Sequence, residues 1–328
     1  MQGIEPHLWL RIARNNRAIW STIAAMAIAI VVGFGAAHLS VDLHVVAPVL
    51  ELVPILLAVA YFYRRWRPDP WISIGAESCA QIALILFLGA LLTYLLATTG
   101  LPYRDAELHA ADRWMGLDWQ AYLRVVNSQP ALCMLTRAAY GSMAVQYALT
   151  IAALTATSRF LRVQQYQAAL TIALVVSICV FTLVPAVGTY AFLNVSPENY
   201  AALDPILTFK QMQHLEAMRN HSWSAIRELE GLISFPSFHT ASGVLFVWAL
   251  YPIRKLRWWI VALNVAMIAS APLQGAHYFI DIVAGVGVAL AAVSAVSAVS
   301  AVSLVRSGDY ASGPAAVPAG VAEPAAAG

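Results

Sequence analysis

Long apolar runs alternate with short polar breaks along the chain, and the runs are about as long as a bilayer is thick. A membrane-spanning helix needs about 20 predominantly apolar residues. Runs of that order lie at 18–38, 46–63, 74–97, 131–156, 168–187 and 276–305. Another begins at Ser234, and a shorter one covers 258–271. The pattern predicts an all-α, polytopic membrane helix bundle with about eight transmembrane helices. Two polar stretches, 101–130 and 193–231, cannot span. In the first, Leu108, Trp114, Leu117, Tyr122 and Leu123 recur at roughly helical spacing, which predicts a helix lying in the membrane interface.

The first run follows Arg11, Arg14 and Arg17, the charge order of a secretory signal. A signal's apolar core is only about 7–15 residues long. This run is longer and has no convincing small-residue cleavage site, so a retained span is expected. The last run ends in Ser-Ala-Val triplets, read as lipid-facing filler, and an Ala/Pro/Gly-rich tail expected to be disordered follows. The organisation expected is 1–73 as a cytoplasmic amino terminus plus two additional helices, 74–306 as a six-helix catalytic membrane domain, and 307–328 as the tail.

Composition agrees. Of 328 residues, 60% are hydrophobic and 11% charged, against about 25% charged in soluble domains. A net charge of +2 gives no case for nucleic acid as a partner. Cys79, Cys133 and Cys179 lie singly in apolar runs, without CxxC spacing, and read as small buried hydrophobes.

Arginine placement orients the bundle. With eight spans, the amino terminus, Arg64–Arg67, Arg159 and Arg162, Arg254–Arg257 and Arg306 all fall on one side. Short loops rich in Lys and Arg stay cytoplasmic. Both termini are therefore expected inside, in the plasma (inner) membrane, with the polar stretches facing the periplasm or exterior.

Two short stretches on that outer side carry chemistry. His277 and Asp281 are four apart, so on a helix they share a face and the carboxylate can hold the imidazole. An aspartate on one ring nitrogen fixes the tautomer and frees the other nitrogen as a nucleophile or base. An ionisable pair inside a span is usually functional, although such a pair also stitches helices together. About forty residues earlier, Ser234-Phe-Pro-Ser-Phe-His239 has the form of a loop turning into a helix. Pro236 and Ser237 suit a cap or first turn, and such an end binds phosphate. An ordinary Ser/Pro-started helix with an interfacial histidine has the same form.

Together the two motifs resemble those of the type-2 phosphatidic acid phosphatase superfamily. Its second signature is P-S-G-H, and Pro236-Ser237-Phe238-His239 agrees at three of four places. Its third is S-R-x5-H-x3-D, matched by Ser270, His277 and Asp281 with Ala271 in the arginine's place. The first, K-x6-R-P, is not found in that form. Phe238, the lost arginine and the His-Tyr-Phe-x-Asp wording look like the inositol phosphorylceramide synthase branch. The resemblance is concentrated in 231–285, and it implies a phosphohistidine on His277, oriented by Asp281. It also implies His239 as general acid, Ser237 with neighbouring amides holding phosphate, and no metal or other cofactor.

Phosphoryl transfer needs positive charge against the transferring oxygens, so the missing arginine leaves that role to others. Arg137 near the outer end of the fourth run, with Tyr140 and Gln146 at spacings that turn inward, is one candidate. Arg219 and Lys210 in the second polar stretch are others. Snorkelling or solvation accounts for these cations equally well. Glu51 and Glu77 read as packing or interfacial residues, and His214 and His221 as parts of a solvated helix.

The expectation is a membrane enzyme, a lipid phosphatase or phosphotransferase, with a lipid phosphate as substrate and membrane lipids as surroundings. It would act on a phospholipid or isoprenyl (di)phosphate. An inositol-type headgroup transferase is the alternative. A transporter using the His–Asp pair as a proton relay is another, though no inverted repeat is visible.

Overall fold

The computed structural model describes residues 6–205 and 209–306. Lys210 falls at the start of a described helix but its side chain lies outside the described residues, as does the tail at 307–328.

Among the described residues, thirteen α-helices run in order. They are α1 Pro6–Ala37, α2 Leu43–Arg65, α3 Pro70–Ala97, α4 Asp105–Trp114, α5 Trp119–Asn127, α6 Pro130–Gly141 and α7 Met143–Ala156. After these come α8 Phe160–Leu183, α9 Thr189–Phe192, α10 Phe209–Arg219, α11 Phe238–Leu250, α12 Arg257–Gln274 and α13 Phe279–Arg306. Five, namely Leu10–Ala37, Leu43–Arg65, Pro70–Ala97, Phe160–Leu183 and Phe279–Ser300, are long and apolar enough to cross a membrane. Every expected span is helical, but three are built differently from the even runs of the sequence. The fourth, 131–156, is two helices meeting at Ser142. The sixth starts four residues late and is only 13 residues long, about 20 Å. The seventh is α12, of 18 residues. The expected interfacial helix is likewise a pair, α4 and α5.

Local chemistry sets several of these boundaries. Asp69 caps α3, accepting from the amides of Trp71 and Ile72 at 2.9 and 3.1 Å, with Pro70 as first residue. Asp118 caps α5 through the amide of Ala121 at 2.9 Å. An N-cap of this kind is worth about 1 kcal/mol.

One core joins α3, α7, α8, α11, α12 and α13 around Ile82, Ile151, Tyr166, Leu170, Phe246 and Met267. α1 packs outside it, laying Ile19, Ile23, Met26, Ile30 and Phe34 against Ile85, Leu88 and Leu91 of α3. α2 buries only Val53 and Ala60. Glu77 of α3 accepts from Asn16 Nδ2 and Trp20 Nε1, both at 3.0 Å, and pairs with Arg64 of α2. It is a packing partner, as one of its two expected readings had it; Glu51 is exposed.

The basic segments gather at one end of the bundle. Trp71 donates to Ser158 at 2.8 Å, Arg162 reaches the carbonyl of Trp248 and lies over its ring, and Asn15 donates to Gln164 at 3.1 Å. At the other end Ser40–Val41 (β1) pairs in parallel with Ala225–Ile226 (β2). There His214 is buried, 2.7 Å from the Tyr94 hydroxyl and against Trp223. It is not the solvated residue that the polarity of 193–231 suggested, because the stretch folds back over α3.

Candidate active site

His277 lies where α12 ends and α13 begins. Pro272 sits within the last turn of α12, and the last carbonyls of any helix lack intrahelical donors. Here two aromatic side chains supply donors to them, and a third braces the turn before. Tyr122 donates to Ala269 O at 2.9 Å, Trp119 to Pro272 O at 3.0 Å and Tyr190 to Leu273 O at 2.9 Å. The turn carrying Gly275–His277 is thereby fixed.

The His277 Nδ1 is 3.2 Å from Asp281 Oδ2, and the same oxygen accepts the Tyr278 amide at 2.9 Å. His277 is 2% exposed and Asp281 fully buried. Holding Nδ1 on a carboxylate leaves Nε2 with its lone pair turned away from the aspartate.

The second motif meets the first through the backbone. Ser237 caps α11, accepting from the Thr240 amide at 3.3 Å, while its own amide donates to Asp281 O at 3.0 Å. The two helix starts come this close because α13 carries a glycine one turn on. A methyl on Gly285 would lie 2.5 Å from Ser237 O and 2.9 Å from Thr240 Cβ.

Between the histidines stands Tyr140 of α6. Its ring stacks on that of His239, with centroids 3.9 Å apart and planes at 12°. A methyl placed on Gly275 would be 2.4 Å from the Tyr140 hydroxyl oxygen and 2.8 Å from His277 Cδ2. One aromatic side chain thus adjoins both histidines, and its hydroxyl is buried without a hydrogen-bond partner.

A brace comes from α4. The Asp105 carboxylate accepts the amides of Val187 and Gly188, each at 3.0 Å, and the Tyr278 hydroxyl at 2.8 Å. Gly188 has φ 91°, and a side chain there would strike Ala276 O at 2.9 Å. Asp112 caps α13, its two oxygens accepting from Phe279 at 2.9 Å and Ile280 at 2.8 Å. A carboxylate at a helix amino terminus is favoured by the axial dipole. Burial pushes both carboxyls above the ordinary aspartate range, opposed by these amide donors.

Of the residues singled out from sequence, the structure brings together His239, Ser237, His277 and Asp281. The Ser237 hydroxyl is turned into its own helix as the cap, so the N–H groups at that helix start are those of Phe238 and His239. Two of the three candidate cations are engaged elsewhere. Arg137 is half exposed and pairs with Asp204. Arg219 lies over the Tyr103 ring, 4.0 Å from its centroid, and donates to Gly100 O at 3.2 Å. Lys210 opens α10, which also carries Arg219. Ala271, at the place of the signature arginine, is fully buried in α12.

Sequence reasoning missed Asp105 and Asp112. They occupy, with Leu108, one buried face of α4 at 105, 108 and 112. The helical spacing was visible, but two of the three buried positions are acidic, so an apolar stripe was the wrong signal.

The sequence model of the PAP2 superfamily matches residues 106–295. The matched stretch contains Asp112, Tyr140, His239, His277 and Asp281 and excludes α1–α3. No curated protein and no solved structure matches the chain. With more than half of its length matched and its apolar helices assembled as a bundle, the chain belongs to the PAP2 superfamily of phosphatase-type membrane proteins.

Proposed function

We propose that the protein is an integral-membrane lipid phosphatase or phosphotransferase that works through a phosphohistidine on His277. The observation that carries this reading is the buried His277–Asp281 pair, joined through Ser237 N–H to the helix that presents His239. His277 Nε2 attacks phosphorus and the P–O bond to the lipid alcohol breaks. His239 gives its proton to the departing alkoxide, so that a neutral alcohol leaves. In the second step an acceptor oxygen attacks the same phosphorus, the N–P bond breaks, and His239 takes the acceptor's proton. Asp281 holds the ring in one tautomer and balances the positive charge that His277 gains on phosphorylation. The amides at the start of α11, with the positive end of its dipole, face the phosphate oxygens. Water as acceptor gives a phosphatase; inositol or another alcohol gives a headgroup transferase of the inositol phosphorylceramide synthase kind, the branch that the His-Tyr-Phe-Ile-Asp wording favours.

Purified protein in detergent tests this. It is offered phosphatidic acid, isoprenyl diphosphate, and phosphatidylinositol with ceramide, each labelled at the phosphorus. Rapid quenching is expected to leave a protein-bound label that is acid-labile and alkali-stable, as phosphoramidates are. A turnover that leaves only an alkali-labile label, or none under single-turnover conditions, contradicts the histidine intermediate.

The reading also places the site at the outer face. The gathering of Arg64, Arg159, Arg162 and the α1 arginines at the opposite end supports this. A cysteine replacing Asn220, exposed just beyond α10, is expected to react with a membrane-impermeant maleimide in intact cells. One replacing Thr157, exposed at the opposite end, is expected to react only after permeabilisation. The reverse pattern refutes the orientation.

A further inference from the structure

Among the described residues, neither candidate arginine is free to face a phosphate group in this site. Arg137 and Arg219 are engaged with Asp204 and with Tyr103 and Gly100, and the signature position holds the buried Ala271. What the site does hold is an unused donor. Tyr140 is 2% exposed, and its hydroxyl has no hydrogen-bond partner. Buried tyrosine hydroxyls normally find one, and leaving one unmade costs about 1–3 kcal/mol. The Tyr103, Tyr166 and Tyr200 hydroxyls share this condition; what sets Tyr140 apart is its place beside His239 and His277.

That place supplies an explanation. The hydroxyl oxygen and His277 Cδ2 both lie within 3 Å of the same point above Gly275. Cδ2 is bonded to Nε2, the nitrogen that Asp281 leaves free. A phosphoryl group poised against Nε2 therefore has its equatorial oxygens beside the Tyr140 hydroxyl. The ring's other contact, the stack on His239 at 3.9 Å and 12°, prevents the side chain from swinging toward some other acceptor. Gly275 is what permits this close approach, since a Cβ there would lie 2.4 Å from the Tyr140 hydroxyl oxygen.

We propose that Tyr140 is a substrate-contacting residue whose hydroxyl donates a hydrogen bond to a non-bridging oxygen of the phosphoryl group at His277. The inference rests on the phosphohistidine reading above and adds to it a neutral donor where a cation is expected. It implies selectivity as well. A site clamped by a phenol and by helix amides favours a phosphodiester or monoanion over a fully ionised monoester, whose second charge meets no cation among the described residues.

Tyr140→Phe tests the idea because it keeps the stacked ring and removes one oxygen. On the best substrate of the panel above, kcat is expected to fall on the order of 10²-fold, with KM little changed. Inhibition by orthovanadate, which mimics the five-coordinate phosphoryl group, is expected to weaken by a similar factor, and the unfolding temperature to stay as in the wild type. Direct vanadium NMR of the bound anion gives the same comparison without turnover. Undiminished kcat and vanadate affinity in Tyr140→Phe, beside an inert His277→Ala, overturns this inference alone. Retained turnover in His277→Ala, or no vanadate bound by the wild type, overturns it together with the reading beneath it. A loss of kcat that vanadate affinity does not follow assigns Tyr140 to positioning His239 and also overturns it.

Discussion

Replacing His277 by alanine is expected to reduce turnover by a factor on the order of 10⁴ or more, down to what binding and the amide donors supply alone. In the proposed mechanism the imidazole takes the phosphoryl group, with Nδ1 fixed on Asp281 and the ring 2% exposed. His239 is held in its stack on Tyr140 and is assigned the proton transfer instead. The phospholabel should vanish with the turnover. The Asp281→Asn variant should lose less, since it keeps a polar partner beside Nδ1 and misplaces only the tautomer. Folding is checked by gel filtration and by helical circular dichroism, because a buried imidazole replaced by methyl leaves Asp281 with one donor fewer. Turnover unchanged in a folded His277→Ala protein would remove the phosphohistidine from consideration.

A single methyl on α13 should be almost as damaging. In Gly285→Ala the new carbon would stand 2.5 Å from the Ser237 carbonyl oxygen and 2.9 Å from Thr240 Cβ, and backbone cannot step aside as a flexible side chain does. The two helix starts must separate. Overpacking of this kind costs about 1–3 kcal/mol, and a displacement of about 1 Å between reacting groups lowers rates about 10²-fold. The expected result is a lower unfolding temperature in detergent together with a kcat reduced on that scale. Gly287→Ala is the control, since nothing lies within 4 Å of its added carbon. Wild-type kcat in Gly285→Ala would mean that the contact between Ser237 N–H and Asp281 O is not what sets the distance between the motifs.

The parts of the architecture that were legible in the sequence are those written in hydrophobic length. The spans and the two polar stretches stand out because a bilayer admits little else. The pairing of Ser234–His239 with His277–Asp281 was legible because helix spacing and helix starts are local properties. What was not legible depends on contacts between distant segments. The break at Ser142 is marked only by the pair Gly141-Ser142, in an apolar run that continues through it. Arg137 and Arg219 could be placed near the outer end, but their engagement with Asp204 and Tyr103 arises only when the outer stretches fold over the bundle. Asp105 and Asp112 were hidden for the opposite reason. Their charge marked them as surface residues, whereas the amides of the 185–188 turn and of the α13 start make a buried carboxylate affordable on α4.

The knot around Glu77 bears on how this protein can be divided. By sequence matching, α1 and α2 lie outside the superfamily segment, as an appendage open to trimming would. Glu77 nevertheless takes two of its donors from α1 and its cation from α2. A chain beginning at Pro70 would leave that carboxylate, two turns into α3, stripped of all three, and an unpaired acid within a span is unfavourable. A minimal enzyme would therefore need Glu77 neutralised along with the cut, and any relative lacking the first two helices should carry an uncharged residue at that place.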